Sequence, residues 1–431
     1  MALIIPAAWR IPLRSSAVRR VSMVDWRSDE IEQVGGFVNN QRVLVAGVGM
    51  TAFSTPSRTR PYTELASEAV QEALADAGLA YRDIEQVYAG YVYGDSTCGQ
   101  RAMYGVGLTG VPIINVNNNC ATGSTALFLA RQAVGSGAAD CVLAVGFEQM
   151  ARGALVENYQ DRPSPLGPFL DVVDKRYGAD EAPMAPRLFG GAARDYAAKY
   201  GTSAETFAQI TVKARKHAAL NPKAVFRDPV TVEQVMSSPM VFDPLTRLQC
   251  CPPTCGAAAA VIVSERLARR LSLRGRVAIA AQAMTTDSAS SFNDDMAAVV
   301  GREMSAAAAS QVYEAAGVGP EEIQVVELHD CFSCNEVISY EALGLVPAGD
   351  AEKMICDGDN TYGGRYVVNP SGGLLSKGHP LGATGLAQCY ELTHQLLGRC
   401  GARQVDHVRY ALQHNIGLGG ACVVTLYERS A

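Results

Sequence analysis

One cysteine of this sequence lies where a nucleophile is expected. Cys120 follows three asparagines, Asn117 to Asn119, at the point where a strand-like segment ends and a helix rich in small residues, 121–133, begins. The positive end of a helix and its free N–H groups lower the pKa of a nearby thiol and favour the reactive thiolate. A packed structural cysteine is the alternative, but the position at a helix N-terminus favours a nucleophile.

A histidine suited to act as the base for this thiol lies far along the chain. His379 is one of six histidines and occupies the turn GHPLGATG, 378–385, directly before a predicted helix. The tripeptide Ala-Thr-Gly that follows Cys120 recurs in this turn, so both turns occupy equivalent positions of a repeated unit. A lone histidine in a turn is commonly a surface residue, but the repeat predicts that Cys120 and His379 face each other as thiol and base.

A third polar cluster, HDCF at 329–332, follows a predicted strand over 323–328. Proteins of the α/β class place their sites at the carboxyl ends of such strands. Cys331 also forms a CxxC with Cys334, which raises the question of a metal or redox site. Because no second CxxC and no thioredoxin-like context accompanies it, the sequence favours no metal site here.

The twelve cysteines are dispersed over the long chain, and no secretory signal precedes them. This pattern predicts reduced thiols in an intracellular compartment, most of them small buried apolar residues. Three of them raise the metal question again, but their proline and alanine neighbours favour a buried structural cluster: Cys250, Cys251 and Cys255.

Alternating strands and helices must position these groups. Apolar β-branched runs predict strands and helical spacing predicts helices, in the order strand 41–50, helix 63–78, strand 84–93, strand 111–116, helix 121–133 and strand 141–145. This alternation favours βαβ units and a mainly parallel sheet.

The C-terminal part repeats the pattern. The segment DAGL, 76–79, is matched by AAGV, 315–318, and the next match in the same order is the recurring Ala-Thr-Gly. We therefore predict a duplicated fold whose two strand–turn–helix units bring their turns to a shared centre. Residues from about 150 to 250 are less regular and rich in Pro, Arg and Asp, which favours an inserted loop domain.

The composition excludes several classes of protein. Hydrophobic residues make up 48% and charged residues 19% of the 431 residues, which argues against extensive disorder and for a large core. The net charge of −6 gives no electrostatic basis for binding nucleic acid. The longest apolar run, 257–263, is far shorter than the roughly 20 residues of a membrane-spanning helix, so we predict no transmembrane segment.

The first residues differ in composition from the rest. Residues 1–24 contain four arginines and three serines but no acidic residue, which is typical of a transit peptide and predicts a mitochondrial protein. The alternative is a start translated too far upstream of a cytoplasmic enzyme, since Pro6 and Pro12 interrupt an amphipathic helix. The last residues, 428–431, do not form a peroxisomal signal of the Ser-Lys-Leu type.

Four motifs together resemble the thiolase superfamily, and most of all its sterol carrier protein 2 (SCP2) type branch. They are NNNCATGSTAL, HDCFS, NPSGGLLSKGHPLGATGLAQ and QHNIGLGGACVVTLY. The resemblance implies an α/β thiolase fold, with two duplicated βαβαβ-type halves that form a layered α/β/α/β/α core, and it implies a homodimer. We expect a leader at 1–36, an N-terminal half at 37–150 and 251–285, a loop domain at 151–250 and a C-terminal half at 286–431.

The resemblance also implies a role for each site residue. Cys120 would accept the acyl group of a 3-oxoacyl-CoA, while His379 would activate that thiol and help to bind the thioester oxygen. His329, which stands where other thiolases have an asparagine, would complete that oxyanion site. Cys331 would be the second acid/base, protonating the leaving enolate and deprotonating incoming coenzyme A. Coenzyme A is then a co-substrate, and the resemblance implies no bound cofactor and no metal.

One departure concerns the C-terminal Cys-x-Gly motif of the commoner thiolases. Asn415-Ile416-Gly417 stands in its place, and in the SCP2-type branch Cys331 takes over the acid/base task. Gly417 and Asn415 are oxyanion candidates, since the Gly417 N–H can act together with that of Cys120. Cys422 lies nearby in a predicted strand and is expected in the core.

The leading hypothesis is an active thiolase, an acetyl-CoA or propanoyl-CoA C-acyltransferase in fatty-acid, branched-acyl or sterol side-chain degradation. The alternatives are a non-catalytic acyl-CoA or lipid-binding protein on the same scaffold and a decarboxylative condensing enzyme. Segment 175–187 and Arg194 are expected near coenzyme A. Acyl chain length, branching preference and reaction direction stay open.

Overall fold

The computed structural model describes residues 41–153, 155, 159, 161–273 and 277–429. The leader predicted over residues 1–36 lies outside the described residues, as do the last two residues of the chain. Among the helices that are described, none is long and apolar enough to cross a membrane.

Most of the strands join one large mixed sheet. The strands of the described residues are β1 (Val43–Met50), β2 (Gln86–Gly90), β3 (Ile113–Val116), β4 (Cys141–Glu148), β5 (Met240–Phe242), β6 (Leu245–Thr246), β7 (Gly256–Ser264), β8 (Val277–Thr285), β9 (Val325–Glu327), β10 (Val367–Val368), β11 (Tyr410–Gly417) and β12 (Ala421–Arg429). Strands β5 and β6 form a hairpin, and the others follow the order β10-β9-β11-β12-β8-β1-β7-β4-β2-β3. Two residue pairs, Leu44 with Ala278 and Val45 with Val277, join β1 to β8, so the sheet divides there into two five-stranded parts.

Helices lie outside and between these two parts. They are α1 (Tyr62–Ala77), α2 (Cys98–Met103), α3 (Thr122–Gly135), α4 (Gly167–Tyr177), α5 (Met184–Tyr200), α6 (Ala204–Ala219), α7 (Val232–Met236), α8 (Glu265–Arg270), α9 (Met296–Val299), α10 (Arg302–Ala316), α11 (Ser333–Ala342), α12 (Ala351–Cys356) and α13 (Thr384–Leu397). Helix α1 packs on β1 and β7, and α10 packs on β8 and β12, while α3 and α13 contact each other and strands of both parts. The predicted layered α/β/α/β/α core is therefore confirmed.

The prediction of a mainly parallel sheet is wrong. In the described part of the chain, parallel pairing is confined to β2 with β3 and β4, and to β9 with β10 and β11. The strands β1, β7, β8 and β12 make antiparallel pairs. Strands β11 and β12 are joined by the three residues 418–420, and so short a connection forces antiparallel pairing. The long insertion between β4 and β7 lets β7 return beside β4 in the opposite direction.

The duplication predicted from the sequence is visible in the structure. Helices α1 and α10 both end at a glycine with left-handed backbone, Gly78 at φ 68° and Gly317 at φ 64°. A short 3₁₀ turn and then a parallel strand follow in each half. Helices α3 and α13, which begin at the two copies of the Ala-Thr-Gly sequence, lie side by side in the middle layer.

The segment 151–250 is more regular than its sequence suggests. It contains α4, α5, α6 and α7 and the β5–β6 hairpin, and its core includes the buried Phe189 and Phe207. The ring of Phe189 stacks on Phe332 with centroids 4.7 Å apart, so this insertion packs directly behind the HDCF segment. The domain boundaries remain predictions, but β8, at the end of the range 251–285, pairs along its length with β12 of the C-terminal half.

The two halves touch through backbone at β4 and the turn before α13. A Cβ placed on Gly146 of β4 would lie 2.1 Å from the carbonyl oxygen of Gly382, and one on Gly382 would lie 2.4 Å from the carbonyl oxygen of Phe147. No side chain fits between them, so glycine is required at both positions for the turn to approach the strand this closely.

We expect Gly146→Ala to lower the free energy of unfolding by about 1–3 kcal/mol, because the added methyl must push the turn off β4. Urea denaturation followed by circular dichroism measures the change. Gly167→Ala is the matched control, since a Cβ there meets no atom within 4 Å and should change stability by less than about 0.5 kcal/mol. An unchanged midpoint for Gly146→Ala would show that the contact is not this tight.

Candidate active site

The four catalytic candidates from the sequence line one cavity of about 700 Å³: Cys120, His329, Cys331 and His379. Most of its wall is apolar, and both halves and the insertion contribute to it. The apolar wall residues include six prolines together with Met150, Leu166, Met184, Phe189, Val241, Leu381 and Ile416. Arg162 is the one lysine or arginine on the wall in the described part of the chain, and it pairs with Asp161. The cavity therefore suits a neutral or apolar group next to the reactive side chains.

A tight turn between β3 and α3 presents Cys120. Asn119 has a left-handed backbone at φ 49°, a conformation that asparagine tolerates better than most residues. The turn is held by the Thr122 hydroxyl, which donates to Asn119 O at 2.6 Å, and by the Asn119 amide, which donates to Leu418 O at 3.1 Å. A Cβ on Gly417 would lie 2.2 Å from Asn118 O, so the end of β11 supports the same turn.

The thiol of Cys120 is protonated in the free protein. Burial, together with the nearby Glu148 carboxylate, raises the pKa of Cys120 to about 12. The pKa is raised rather than lowered as predicted from the helix N-terminus, because the loss of solvent around the sulfur outweighs the backbone hydrogen bonds that favour the thiolate. Cys120 needs a base to become a nucleophile.

His379 carries the lone pair that can serve as this base. Its Nδ1 lies 2.7 Å from the Thr384 hydroxyl, which itself donates to Pro380 O at 3.0 Å. Because the hydroxyl proton is used there, Nδ1 must donate, and Nε2 has no proton. No described residue bonds to Nε2, and burial, with Lys377 nearby, lowers the pKa of His379 to about 3. The ring is neutral with a free lone pair.

His329 follows β9 and is held from two sides. The carboxylate of its neighbour Asp330 accepts hydrogen bonds from the backbone N–H groups of Leu374 and Leu375, at 2.7 and 3.4 Å. The side-chain amide of Asn415 lies 2.9 Å from His329 Nδ1. Burial, with His379 and His414 nearby, lowers the pKa of His329 well below its usual value, so this ring is also neutral.

Cys120 and His379 meet as the duplication predicted, and His329, which the resemblance assigned to the oxyanion site, joins them. The sulfur of Cys120 and one nitrogen from each of His329 and His379 lie within 4.8 Å of one another. The two rings are nearly perpendicular, with centroids 5.0 Å apart. Since each Nδ1 is bonded to another side chain, the Nε2 atoms face the sulfur. This arrangement can pass a proton from the thiol to His379.

Cys331 lies on the same wall, and burial among neighbouring thiols raises its pKa well above the usual value, so it is a protonated acid at neutral pH. Cys251 lies beside it and donates its backbone N–H to Cys331 O at 2.8 Å. Both Cys250 and Cys251 line the cavity, which corrects the expectation of a purely structural cluster. Cys334 instead donates to Phe189 O and is not among the described residues that line the cavity.

Glu148, at the end of β4, is a site residue that the sequence analysis missed. Its carboxylate accepts the backbone N–H groups of Val92, Tyr93 and Gly382 at 2.9–3.1 Å, so it ties the turn that carries His379 to the N-terminal half. Burial raises the pKa of Glu148 to about 7. An acidic residue that ends the apolar run CVLAVGFE was the available signal.

The remaining predicted residues lie around the site rather than in it. Among the described residues that line the cavity, neither Asn415 nor Gly417 appears, and their oxyanion roles stay predictions. Cys422 is fully buried in β12, as expected.

The basic residues expected near coenzyme A are each paired with an aspartate, in Lys175–Asp294, Arg176–Asp195, Arg187–Asp174 and Arg194–Asp243. Their segment supplies the apolar wall residues 183–186 instead.

Comparisons with known proteins identify the family and the fold. The family model "Thiolase, N-terminal domain" matches residues 43–266, and "Thiolase C-terminal domain-like" matches residues 282–427. Sterol carrier protein 2 of Rattus norvegicus is 54% identical over 392 residues, which cover 90% of this chain and 72% of that protein. An Ltp2-ChsH2(DUF35) aldolase structure covers 90% of this chain and 97% of its own, with TM-score 0.75 and 25% identity. Human mitochondrial 3-ketoacyl-CoA thiolase in complex with CoA shares the fold, with TM-score 0.69 and 19% identity over 91% of this chain and 99% of its own.

We expect alkylation of Cys120 by iodoacetamide in the free protein to speed up by about tenfold per pH unit between about pH 7 and pH 9.5. The reason is the raised pKa of about 12, which leaves the thiolate scarce throughout this range. Mass spectrometry of the Cys120 peptide gives the rate, and exposed Cys356 in the same digest monitors the reagent. A rate that levels off below about pH 8 would mean that the thiolate already exists without substrate.

Proposed function

Because this chain belongs to the thiolase family, we propose that it is an SCP2-type acyltransferase that cleaves 3-oxoacyl-CoA with coenzyme A through an acyl-enzyme on Cys120. The observation that carries the proposal is the meeting of a protonated thiol, a histidine with a free lone pair and a second neutral histidine at the wall of an apolar cavity. A thiol needs a base to attack a carbonyl, and this cluster supplies one.

The first half-reaction breaks the bond between C2 and C3 of the substrate. His379 Nε2 takes the proton of Cys120, and the sulfur attacks the C3 carbonyl. The electron pair of the C2–C3 bond passes to the leaving acyl-CoA as an enolate, whose thioester oxygen accepts hydrogen bonds from His329 and from the newly protonated His379. Cys331 gives its proton to C2, which releases acetyl-CoA or propanoyl-CoA.

The second half-reaction transfers the shortened acyl group. The Cys331 thiolate takes the proton of an incoming coenzyme A, whose sulfur attacks the thioester on Cys120. Cys120 leaves as a thiolate and recovers its proton from His379, so every group returns to its starting state. The raised pKa of Cys331 supports this role, because a weak acid with a reactive conjugate base suits both proton transfers.

The cavity supports an extended or bulky acyl group as substrate. Its volume of about 700 Å³ and its proline, leucine, methionine and phenylalanine wall suit straight or 2-methyl-branched chains and sterol side chains. This wall supports the proposal that the enzyme acts in fatty-acid, branched-acyl or sterol side-chain degradation. The arginine-rich, acid-free residues 1–24 support a mitochondrial location.

Two other functions use the same scaffold without an acyl-enzyme. One is a non-catalytic acyl-CoA or lipid-binding protein. The other is carbon–carbon cleavage without thiolysis, since a solved structure with this architecture is described as an aldolase. Covalent acylation of Cys120 separates the proposed thiolase from both, because neither of them requires a thioester on the protein.

We expect the wild-type protein to cleave 3-oxoacyl-CoAs of several chain lengths, with and without a 2-methyl group, in a spectrophotometric thiolysis assay. Cys120→Ser should lose both turnover and acylation. Cys331→Ser should still acquire the acyl mass on Cys120 but turn over at least about 100-fold more slowly, because it lacks the second acid/base. Cys334→Ser is the matched control, since Cys334 is equally buried but faces Phe189 O.

If the wild type binds acyl-CoA tightly without cleavage or acylation, the protein is a non-catalytic acyl-CoA or lipid-binding protein and the proposed thiolase activity is refuted. If Cys120→Ser still cleaves the substrate, the reaction needs no acyl-enzyme on Cys120 and the proposed mechanism is refuted.

The proposed enzyme is a homodimer that pairs through β3. This strand is the edge of the sheet, with no strand partner on its outer side among the described residues. Ile114 exposes an apolar side chain on the strand, and Tyr104 and Leu108 do so in the segment that leads from α2 to β3. An exposed apolar edge strand is a template for pairing with another chain, and two copies of β3 related by a two-fold axis would pair antiparallel.

We expect Ile114→Lys to weaken the dimer at least about tenfold, because the charge would be buried against its own copy. Analytical ultracentrifugation over a dilution series measures the dissociation constant. Leu271→Lys is the control, since Leu271 is similarly exposed but lies after α8. A wild-type protein that sediments as a monomer would refute the proposed homodimer.

A further inference from the structure

The nitrogen of His329 that faces away from Cys120 is the end of a chain of buried hydrogen bonds. Asn415 contacts His329 Nδ1, Ser124 contacts Asn415, and Gln413 contacts Ser124, at 2.9, 2.8 and 2.8 Å. Tyr427 contacts the other end of the Gln413 amide. These side chains come from α3, β11 and β12, so three elements converge on a single ring nitrogen.

The direction of this chain is fixed at Gln413. One hydrogen of its side-chain NH₂ points at Gly385 O, 2.7 Å away, and a backbone carbonyl can only accept. The nitrogen of Gln413 is thereby identified, and its second hydrogen is donated to the Ser124 hydroxyl oxygen. The amide oxygen of Gln413 then accepts the Tyr427 hydroxyl, which agrees with the contact on that side.

The directions of the next two hydrogen bonds, from Ser124 to Asn415 and from Asn415 to His329, follow in the same way. Having accepted from Gln413, the Ser124 hydroxyl has one hydrogen left to donate, and its partner is the Asn415 amide oxygen. The Asn415 nitrogen must then face His329 and donate to Nδ1. A flipped Asn415 would leave the Ser124 hydrogen without an acceptor in a fully buried site, at a cost of about 1–3 kcal/mol.

A ring nitrogen that accepts a hydrogen bond has no proton, so the proton of the neutral His329 ring lies on Nε2. We propose that Asn415, oriented by Ser124 and Gln413, is a positioning residue that fixes His329 in this tautomer and so keeps it a hydrogen-bond donor toward the substrate oxygen. The inference rests on the proposed thiolase function for its catalytic consequence. The tautomer itself follows from the hydrogen bonds alone.

This chain gives the two histidines opposite tasks. Nδ1 of His379 donates to Thr384, which leaves its Nε2 a base, whereas Nδ1 of His329 accepts from Asn415, which makes its Nε2 a donor. The same Asn415 contact discourages metal binding by Cys120, His329 and His379, because Nε2 of His329 has no lone pair to offer.

The variant Asn415→Asp tests the inference by reversing the bond. A carboxylate can only accept, so it draws the proton to His329 Nδ1 and raises the pKa of the ring. Below that pKa both ring nitrogens carry protons and the donor on Nε2 survives. Above it the remaining proton stays on Nδ1 and Nε2 becomes bare. Titratable groups that face or adjoin His329 are His379, Cys120, Asp330 and Cys331, while His414 lies near it on the far side of β11.

We therefore expect the ratio of kcat for Asn415→Asp to kcat for wild type to fall as pH rises from about 6 to about 9, ending about 100-fold below one. KM should change less than kcat, because the lost hydrogen bond acts on the enolate charge. Tracking the ratio removes the pH dependence of the groups that both proteins share.

His414→Gln is the matched control. His414 lies on the same strand, is equally buried and faces the opposite side of the sheet, where it contacts Ser305. Its kcat ratio to wild type should not slope with pH. An equal slope in both variants, or a flat ratio for Asn415→Asp, would overturn the positioning role.

A second measurement depends neither on activity nor on whether Asn415→Asp folds. In ¹⁵N-histidine-labelled wild type, with His329→Gln to assign the signals, we expect His329 to show a protonated Nε2 and a bare Nδ1. Ser124→Ala should allow the second tautomer to appear. A proton on Nδ1 in the wild type would refute the inference, whereas a wild type with the expected tautomer but no thiolysis would leave it standing and refute the proposed function.

Discussion

The close contact between β4 and the turn before α13 is the constraint on which the site depends. Backbone meets backbone there at Gly146 and Gly382, and the buried Glu148 carboxylate binds Gly382 from the same strand. This contact brings together the N-termini of α3 and α13, one after Cys120 and the other after His379. Neither half contains a site by itself, because the nucleophile and its base are on different halves of the duplicated chain.

Burial has the same effect on every ionisable group of this site, since it favours the neutral form. It keeps the thiols of Cys120 and Cys331 protonated and keeps the imidazoles of His329 and His379 neutral. Burial alone therefore cannot distinguish His329 from His379. The hydrogen-bond partner of each Nδ1 makes the distinction, because Thr384 accepts from one ring and Asn415 donates to the other.

The sequence predicts the features that short segments determine. The strand–turn–helix around Cys120 and the repeated Ala-Thr-Gly are local patterns, and they were enough to predict that Cys120 and His379 meet. The polar residues after β9 indicated a site, but His329 was assigned to the oxyanion site only through the resemblance to SCP2-type thiolases. Strand direction was not predictable in this way, because the return of β7 beside β4 depends on a long insertion. The contacts of Glu148 with Gly382 and of Asn415 with His329 join residues more than eighty positions apart. The acidic residue at the end of the apolar run marks Glu148, but no local pattern reveals these two partners.

A protonated nucleophile is compatible with fast chemistry if the charge appears only when it can be used. In the empty cavity the Cys120–His379 pair is neutral, so no buried charge destabilises the fold. In the proposed thiolase reaction, transfer of the proton to His379 creates the thiolate and, in the same step, the second donor for the substrate oxygen. An oxygen already held by His329 stabilises the protonated His379, so substrate binding itself favours the proton transfer. Activation of the nucleophile and assembly of the oxyanion site are then one event. This event requires that Nε2 of His329 keep its proton and remain a hydrogen-bond donor.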